Sequence, residues 1–338
     1  MDGRITVTNK AKVMKKISIL FLITILFTFQ LSAQKDTSSF LKFSIGKWDL
    51  QLANMRNMYP TYLADPLGIR FDVSSQTMLY SDIDIADEVN ESGEYTGKLV
   101  INAASRVSLF KFSSKKNPKL GFEIDLGVTI PLAMRHGNHD LISTDGVYYF
   151  ALAGRPTEWL DLRFSKHHIC THIGDEYPTT GVHSPVDFDP NTTQLPVRDD
   201  FILSAAVRPL HFVKGFSKKD LIMVYGDFGF FLPGKDFMGT RQNKPNRTAW
   251  LNLQTGAEVE YYFNRWYLGG LFTAYNVSAY QLNSFSPNHS FVAGYIFPQK
   301  KMERRVRIGF NYYNGRSLAN QFYNRKEKFV AFFVSFDV

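Results

Sequence analysis

The stretch from His167 to Tyr177, HHICTHIGDEY, carries three histidines, the only cysteine of the chain and two adjacent carboxylates within eleven residues. Side chains of these types serve as metal ligands, general bases and nucleophiles. Which of these roles is open depends on the element that carries the stretch, because the element decides which side chains share a face.

The chain from Ile69 onward alternates apolar and polar residues with a period of two. Residues 120–130 place Leu, Phe, Ile and Val on one face and Gly, Glu, Asp and Thr on the other, and residues 251–263 and 305–313 repeat the pattern. Strict alternation with one apolar face is the signal of a β-strand. We place twelve strands near 69–81, 98–112, 119–132, 143–153, 159–171, 200–210, 221–232, 249–263, 266–276, 289–298, 304–314 and 328–338.

Three features favour a membrane barrel over a soluble sandwich. The strands run to about ten residues or more, the length that a tilted strand needs to cross a bilayer. The connections alternate in length, from long segments such as 172–199 to short ones such as 114–118, and aromatic residues mark strand ends. Both are typical of outer-membrane barrels. The sequence therefore predicts an all-β fold: a single antiparallel transmembrane β-barrel of about twelve strands, with short periplasmic turns and long outer loops. The aromatic strand-end residues are Trp159, Tyr261, Tyr262, Trp266 and Tyr267.

The final residues, KFVAFFVSFDV, alternate up to Val338 and resemble the C-terminal strand that the outer-membrane barrel assembly machinery reads. In lipid the apolar face of each strand points outward and the polar face lines the lumen. Mixed acids and bases there favour a salt-bridged filling over a conducting pore. The predicted lumenal charges are Glu123, Asp125, Asp161, Arg163, Glu258, Glu260, Arg305 and Arg307.

The front of the chain has the anatomy of a secretory signal, with Lys15 and Lys16 before an apolar run and the small residues Ser32 and Ala33 at its end. We assign residues 1–33 to a signal peptide, with Met14 as the true start, and we predict the bacterial outer membrane as the location. Residues 34–68 form a periplasmic or lumenal segment, in which Phe40–Arg56 could be a short amphipathic helix, and residues 69–338 form the barrel.

Charge and cysteine content exclude several classes. The formal net charge of +8 falls to about +4 without residues 1–33, and no dense basic patch indicates a nucleic-acid partner. A single cysteine excludes an internal disulfide framework. The partners that we expect are the lipid bilayer of the outer membrane and the barrel assembly machinery.

In this barrel His168, Cys170 and His172 lie near the outer end of the fifth strand, on the lipid-facing side that also carries Phe164. Neighbours two residues apart on one strand face are roughly 6–7 Å apart, so His168 and Cys170 could act together. His168 and His172 would be about 13 Å apart, too far for one metal ion. We therefore predict no metal site in this stretch.

LADP at Leu63, Ala64, Asp65 and Pro66 and HICTHIGDEY at 168–177 resemble the two signatures of an uncharacterised family of bacterial β-barrel proteins. The second signature reads H-x-S-S-H-x-G-D-E-Y. His168, His172, Gly174, Asp175 and Glu176 fall on it, while Cys170 and Thr171 replace its two serines. The resemblance implies an outer-membrane location and no established activity.

His168-x-Cys170 is also similar to the His-x-Ser that outer-membrane phospholipases of the A type carry on the lipid-facing side of a strand. The similarity implies a lipid ester hydrolase with His168 as base, Cys170 or Thr171 as nucleophile and His172 nearby. The asparagine and glycine that follow in the phospholipase motif are missing, and the sequence shows neither an orienting group nor oxyanion donors.

Asp175 and Glu176 open a long loop, and we take them as candidate binding residues or local caps. The acids Asp187, Asp189, Asp199 and Asp200 could gather calcium, but no fixed spacing supports this, so no cofactor is predicted. Two hypotheses remain. In a structural, binding or weakly conducting barrel, the histidines turn inward and bond Asp175 or Glu176. In a membrane-embedded hydrolase, His168 and Cys170 face outward and contact each other.

Overall fold

The structure, a computed structural model, describes residues 39–83, 97–136, 139–174, 198–231, 251–298 and 305–337. The predicted signal peptide lies outside the described residues. Within these ranges, no helix is long and apolar enough to cross a membrane. Short 3-10 helices occur at Pro209–Phe212, Trp266–Leu268, Gln281–Asn283 and Asn320–Phe322. The strands are β1 Leu41–Ile45, β2 Trp48–Asn54, β3 Phe71–Ser81, β4 Lys98–Ser114, β5 Gly121–Arg135, β6 Leu141–Thr157, β7 Leu160–Ile173, β8 Arg198–Val207, β9 Ile222–Phe231, β10 Leu251–Tyr262, β11 Gly270–Tyr280, β12 Pro287–Ile296, β13 Val306–Arg316 and β14 Lys326–Phe336.

Strands β3 to β14 form a closed antiparallel barrel of twelve strands. Each pairs with its neighbours in the chain, and β14 closes the ring on β3, with Phe336 opposite Phe71. Closure leaves no open edge within the wall, which a membrane-spanning sheet requires because hydrocarbon offers no hydrogen bonds to the backbone. The all-β fold and the strand number predicted from the sequence are confirmed, and each of the twelve predicted strands corresponds to one observed strand.

The two faces of the wall have the polarity of a membrane barrel. Large apolar side chains such as Phe150, Leu152 and Phe332 are exposed on the outside. Charged side chains are buried inside, among them Glu123, Asp125, Asp161 and Arg307, each at most 2% exposed. A water-soluble barrel would place these two classes the other way round. Phe71 and Phe336 mark the near end of the barrel, and the three longest connections, 82–97, 174–197 and 232–250, leave from the opposite, far end.

The segment from Phe40 to Arg56 is a β-hairpin and not the short amphipathic helix that the sequence analysis predicts. Strand β2 pairs with the C-terminal half of β4, so that Leu50 lies opposite Phe112 and Leu52 opposite Phe110. Two facts explain the hairpin. LKFSIGKWDLQL alternates with a period of two, and Gly46 between β1 and β2 has φ of 56°, a left-handed conformation that glycine adopts without strain.

Residues 55–70 run through the lumen of the barrel. Carboxylates on the wall accept their backbone N–H groups: Glu123 Oε1 accepts from Met58 at 2.6 Å, and Glu258 Oε1 accepts from Leu63. Arg70 closes the segment, because its Nη1 donates to the carbonyl oxygens of Tyr62 and Leu63. An irregular chain at membrane depth is tolerated only where protein satisfies its polar groups, and these contacts supply that condition.

Candidate functional site

The HHICTHI stretch lies on β7, whose side chains alternate without a break along its length. Ser165, Ile169 and Thr171 are buried on the lumenal side, and Lys166 and His172 are exposed on the outside. His168 and Cys170 share the outer face with them. The parity inferred from the sequence therefore describes the observed strand, and no bulge shifts the phase between Arg163 and Ile173.

His168 makes a defined pair with a carboxylate on the neighbouring strand. Its Nδ1 lies 2.9 Å from Oδ1 of Asp199, the residue opposite it on β8. An ionised carboxylate only accepts, so Nδ1 carries the proton and Nε2 of the neutral ring keeps its lone pair. The imidazole also stacks on Tyr148, which lies opposite it on β6, with ring centroids 4.6 Å apart. Two independent contacts therefore fix the orientation of a half-exposed histidine on the outer wall.

Cys170 lies on the same face as His168 but bonds in another direction. Its Sγ is 3.6 Å from the carbonyl oxygen of Gly146, the residue opposite it on β6. A Cβ at Gly146 would come within 2.9 Å of this sulfur, so the thiol fills the space that the glycine leaves open. Among the described residues no hydrogen bond joins Cys170 to His168.

The other predicted catalytic residues lie apart from this pair. Thr171 points into the barrel and donates to Asp145, whose other carboxylate oxygen accepts from the backbone and side chain of Asn320 at 3.0 and 2.9 Å. This network ties β7 to the β13–β14 connection. His172 is exposed on the outer face, one step further along the strand. Thr171 and His172 are therefore not joined to His168 in one site.

The remaining residues of the stretch are accounted for in part. His167 faces the lumen, where its Nε2 is 2.9 Å from Oγ of Ser165 and its ring stacks on Tyr149. The N–H of Gly174 donates to the carbonyl of Ile142 at 2.9 Å. A Cβ at Gly174 would lie 1.8 Å from the carbonyl oxygen of Leu141, so this close approach of two backbones requires glycine. Asp175 and Glu176 lie outside the described residues, as do Asp187 and Asp189.

The LADP residues occupy the middle of the lumenal segment. Leu63 donates its N–H to Glu258, and Ala64 is fully buried beside Leu63 in an apolar cluster with Phe272. Asp65 accepts the N–H of Leu67 at 3.0 Å, a local turn that Pro66 permits because proline has no N–H to place. The motif is therefore packed inside the barrel.

Five of the eight lumenal charges predicted from the sequence take part in ion pairs, while Glu123 and Glu258 accept backbone N–H groups and Arg163 lies over the ring of Tyr149. Arg106 contacts Asp125 at 2.7 Å, and Arg155 and Arg208 contact Asp161 at 2.5 and 2.7 Å. Near the end of the chain, Asp337 forms ion pairs with Arg305 at 2.7 Å and with Arg307 at 2.5 Å. Both arginines also form ion pairs with Glu260. Pairing of this kind supports a filled lumen. Over the described part of the chain, no group of three or more His, Cys, Asp or Glu side chains could hold a metal ion.

Asp199 is the component of the wall site whose role the sequence did not reveal. It stands 31 positions after His168, and only the pairing of β7 with β8 brings the two side chains together. The single signal in the sequence was a pair of acids, Asp199 and Asp200, at the start of the sixth predicted strand. Alternation puts one of them outside and the other, Asp200, in the lumen.

No protein-family model matches the chain, and no curated protein matches it. Among solved structures, the chain is similar to outer membrane phospholipase A from Escherichia coli, with a TM-score of 0.47, 12% identity and coverage of 82% of this chain and 94% of that one. It is also similar to the KdgM porin, with a TM-score of 0.38, 8% identity and coverage of 80% and 99%. For the NanC porin the TM-score is 0.37, the identity 10% and the coverage 79% and 100%.

The closed wall, its apolar exterior and its charged interior define the class: this chain is a membrane β-barrel with the architecture of bacterial outer-membrane proteins. Within that class its lumen holds residues 55–70 and ion-paired side chains, and its outer wall carries a histidine held by a carboxylate.

Proposed function

We propose that this chain is a bacterial outer-membrane barrel that hydrolyses acyl esters of membrane lipids at a site on its outer wall. The observation that carries the proposal is the pair of His168 and Asp199. A histidine on a lipid-facing surface needs no carboxylate for packing. The carboxylate fixes the tautomer and stabilises the imidazolium that forms when Nε2 accepts a proton. His168 is the base, Asp199 its orienting partner and Cys170 the nucleophile.

The reaction needs a base, a nucleophile and a route for each proton. Nε2 of His168 takes the proton of the Cys170 thiol, and the thiolate attacks the acyl carbonyl carbon. The C–O bond breaks, and the alcohol of the lysolipid leaves with the proton from His168. Water, deprotonated by His168, then attacks the thioester carbonyl. The fatty acid is released and the thiol regains its proton.

Location in the outer membrane rests on three supports. The exterior is apolar, residues 1–33 have the composition of a signal peptide, and β14 presents Val330 and Phe332 on its outer face, as a strand read by the barrel assembly machinery would. The resemblance of LADP and HICTHIGDEY to the uncharacterised barrel family points to the same compartment. The bilayer then delivers the substrate to the wall.

A second candidate is a barrel without enzymatic activity that is plugged or weakly conducting and binds a partner through its far-end loops. The lumenal segment favours it, because residues 55–70 and the paired charges occupy the space through which solutes would pass. In this candidate the pair of His168 and Asp199, with Lys166 3.6 Å from Asp199, is a structural part of the outer wall and does no chemistry. That difference makes the two proposals separable.

The test is fatty-acid release from phospholipid and lipopolysaccharide micelles by the detergent-folded barrel, with and without calcium. We expect release by the wild type, and a loss of at least about a hundredfold in His168→Ala and Cys170→Ala, since each removes a reacting group. Asp199→Asn should also lose at least about a hundredfold, because the amide can donate to Nδ1 and so favours the tautomer in which Nε2 carries the proton, and because it does not stabilise the imidazolium.

His289→Ala is the matched control. His289 also faces outward and bonds a neighbour, with its Nδ1 2.7 Å from the hydroxyl of Tyr275, but it stands on β12, away from β7. Equal activity in His289→Ala and wild type, together with loss in His168→Ala, would support the site. A folded wild type that releases no fatty acid from either lipid would contradict the hydrolase proposal and favour the plugged barrel.

A further inference from the structure

The outer wall carries three cations side by side at the far end of the barrel, where β13 ends and β14 begins. Lys326 and Lys328 lie on the outer face of β14, two positions apart, and Arg316 lies opposite Lys326 on β13. Neighbours two positions apart on one strand face are roughly 6–7 Å apart. Side chains directly opposite each other are closer, roughly 4.5–5.5 Å apart at Cβ. Arg316, Lys326 and Lys328 therefore form one basic patch.

This patch is unusual because like charges that lie directly opposite each other on neighbouring strands destabilise a sheet. Lys166, the outward lysine of β7, has a partner, since its Nζ is 3.6 Å from a carboxylate oxygen of Asp199. In the described ranges no ion pair of this kind includes Lys326, Lys328 or Arg316. An anion that binds between the three side chains removes the repulsion.

Arg316 has a donor to spare for such an anion. Its Nη1 donates to the carbonyl oxygen of Asn324 in the β13–β14 connection. Its Nε is buried and, in the described part of the chain, has no hydrogen-bond partner. One side of the guanidinium is therefore fixed by the backbone, while the other still lacks an acceptor.

The two described carboxylates nearest in the chain are engaged with other groups. Asp82 accepts the hydroxyl of Tyr80, and it accepts the backbone N–H of Lys326 at 2.9 Å. Glu327 points into the lumen, where it forms an ion pair with Lys98. Even with Asp82 counted, the patch keeps an excess of positive charge. The acids of the connection that follows Asp82 lie outside the described residues; they are Asp84, Asp87, Glu88, Glu91 and Glu94.

The height of the patch on the wall is that of a lipid headgroup. Towards the near end, the same outer face carries the exposed side chains of Val330, Phe332 and Phe310. Lys328 stands at the border, with its Nζ 5.9 Å from the ring centroid of Tyr312. The cations therefore lie where the apolar wall gives way to the polar layer of the membrane. Lys and Arg near a membrane surface attract anionic headgroups.

We propose that the patch binds the phosphate group of an anionic lipid in the outer leaflet, with Lys326 and Lys328 as point charges and Arg316 as a hydrogen-bond donor. A phosphate has several oxygens that accept from such donors at once. The lipid is a phosphorylated glycolipid of the lipopolysaccharide type, because the far end, with its long loops, faces outward in the proposed location. The proposal rests on that location and not on hydrolysis, since four strands, β3 to β6, separate β14 from β7.

The test is native mass spectrometry of the folded barrel in a detergent without charge, titrated with diphosphorylated lipid A. The same lipid without its phosphates is the matched probe, and inorganic phosphate is the competitor. We expect lipid A to bind, with an affinity that falls as salt is added, and the phosphate-free lipid to bind at least about tenfold more weakly. Inorganic phosphate at the same concentration should not displace lipid A. His168→Ala should bind like the wild type, so that failure of the hydrolase proposal leaves this result unchanged.

Paired variants make the result specific to the patch. Lys326→Gln combined with Lys328→Gln should bind lipid A about tenfold more weakly, because two exposed charge contacts are lost. Lys116→Gln combined with Lys214→Gln is the matched control. It removes the same charge from two exposed near-end connections and should bind like the wild type. Equal binding by the two double variants, or phosphate-free lipid that binds as tightly as lipid A, would overturn the proposal.

A second measurement separates a lipid from an occupant within the chain. In detergent without lipid A, Lys326→Gln should be at least as stable as the wild type in an unfolding titration, because the variant removes the like-charge pair with Arg316. A less stable Lys326→Gln would mean that acids of the chain itself already neutralise the patch, and it would rule out the lipid site.

Discussion

Replacing Arg106 by Met tests whether the lumenal filling is held by charge pairing. Arg106 is buried and makes three short contacts: Nε and Nη2 with Oδ2 of Asp125 at 2.8 and 2.7 Å, and Nη1 with the carbonyl of Tyr59 at 2.7 Å. Met keeps much of the volume and removes the charge. Asp125 has no exposed surface. In the variant its carboxylate keeps the hydrogen bond from the hydroxyl of Tyr149 at 2.9 Å but loses its cation.

The expected loss follows from that uncompensated carboxylate. Breaking a buried ion pair from one side costs about 3–5 kcal/mol. The free energy of unfolding, measured by guanidinium titration of the folded barrel with tryptophan fluorescence, should fall by that amount in Arg106→Met. The double variant Arg106→Met with Asp125→Asn removes both charges of this pair and should recover all but about 1–2 kcal/mol, the cost of the lost bond to Tyr59. A single variant within about 1 kcal/mol of wild type would refute the reasoning, as would a double variant that is no more stable than the single one.

Three more predictions concern the wall, the end of the chain and the lumen. Gly127→Ala should destabilise the barrel by about 1–3 kcal/mol in the same titration, because its Cβ would lie 2.2 Å from the ring of Tyr149. Gly226→Ala, whose Cβ meets only a carbonyl at 3.7 Å, is the matched control and should change stability by less than about 0.5 kcal/mol. Burial works to raise the pKa of Asp337, but its two arginine partners hold that pKa below the ordinary value. The carboxylate therefore stabilises the fold above pH ~4, and this contribution is lost as the pH falls further. Asp337→Asn should therefore be less stable than wild type at pH 7, and the difference should shrink in unfolding titrations below pH ~4; a constant difference would contradict the assignment. In planar bilayers the wild type should show no steady open channel, and Glu258→Ala, which frees Leu63 of the lumenal segment, should show transient openings; steady conductance in the wild type would contradict a filled lumen.

The architecture was predictable because one face of the wall contacts lipid and the other lines the lumen, so the two faces carry different residue types. The period of two alone puts Leu126 and Glu123 on opposite faces. The length of the strands indicates that they cross a bilayer, and the apolar face is then the one that meets lipid. The lumenal charges followed from the same parity. The hairpin of β1 and β2 was missed because its alternation spans few residues and was taken for one side of a helix. Gly46 was the signal that a turn divides it.

The candidate site was predictable on one strand and not across strands. Parity placed His168 and Cys170 on the outer face, and the structure has them there. The pairing of His168 with Asp199 depends on the register of β7 against β8, which are joined by the long connection 174–197. Alternation within a strand carries no information on that register. The path of residues 55–70 could not be predicted for a similar reason. Its contacts to Glu123 and Glu258 join segments that are 65 and 195 positions apart in the sequence.

The position of the pair of His168 and Asp199 along β7 agrees with the proposed hydrolysis at the outer wall. Going outward along the outer face, Phe164 is followed by Lys166, His168 and the exposed His172. This is the change from apolar to polar that a wall makes where acyl chains give way to headgroups. Ester bonds of membrane lipids lie at that level. Under the proposed hydrolysis a lipid therefore reaches His168 from the bilayer, along the face of Phe164 and the aromatic residues Phe201 and Phe230 that stack beside it.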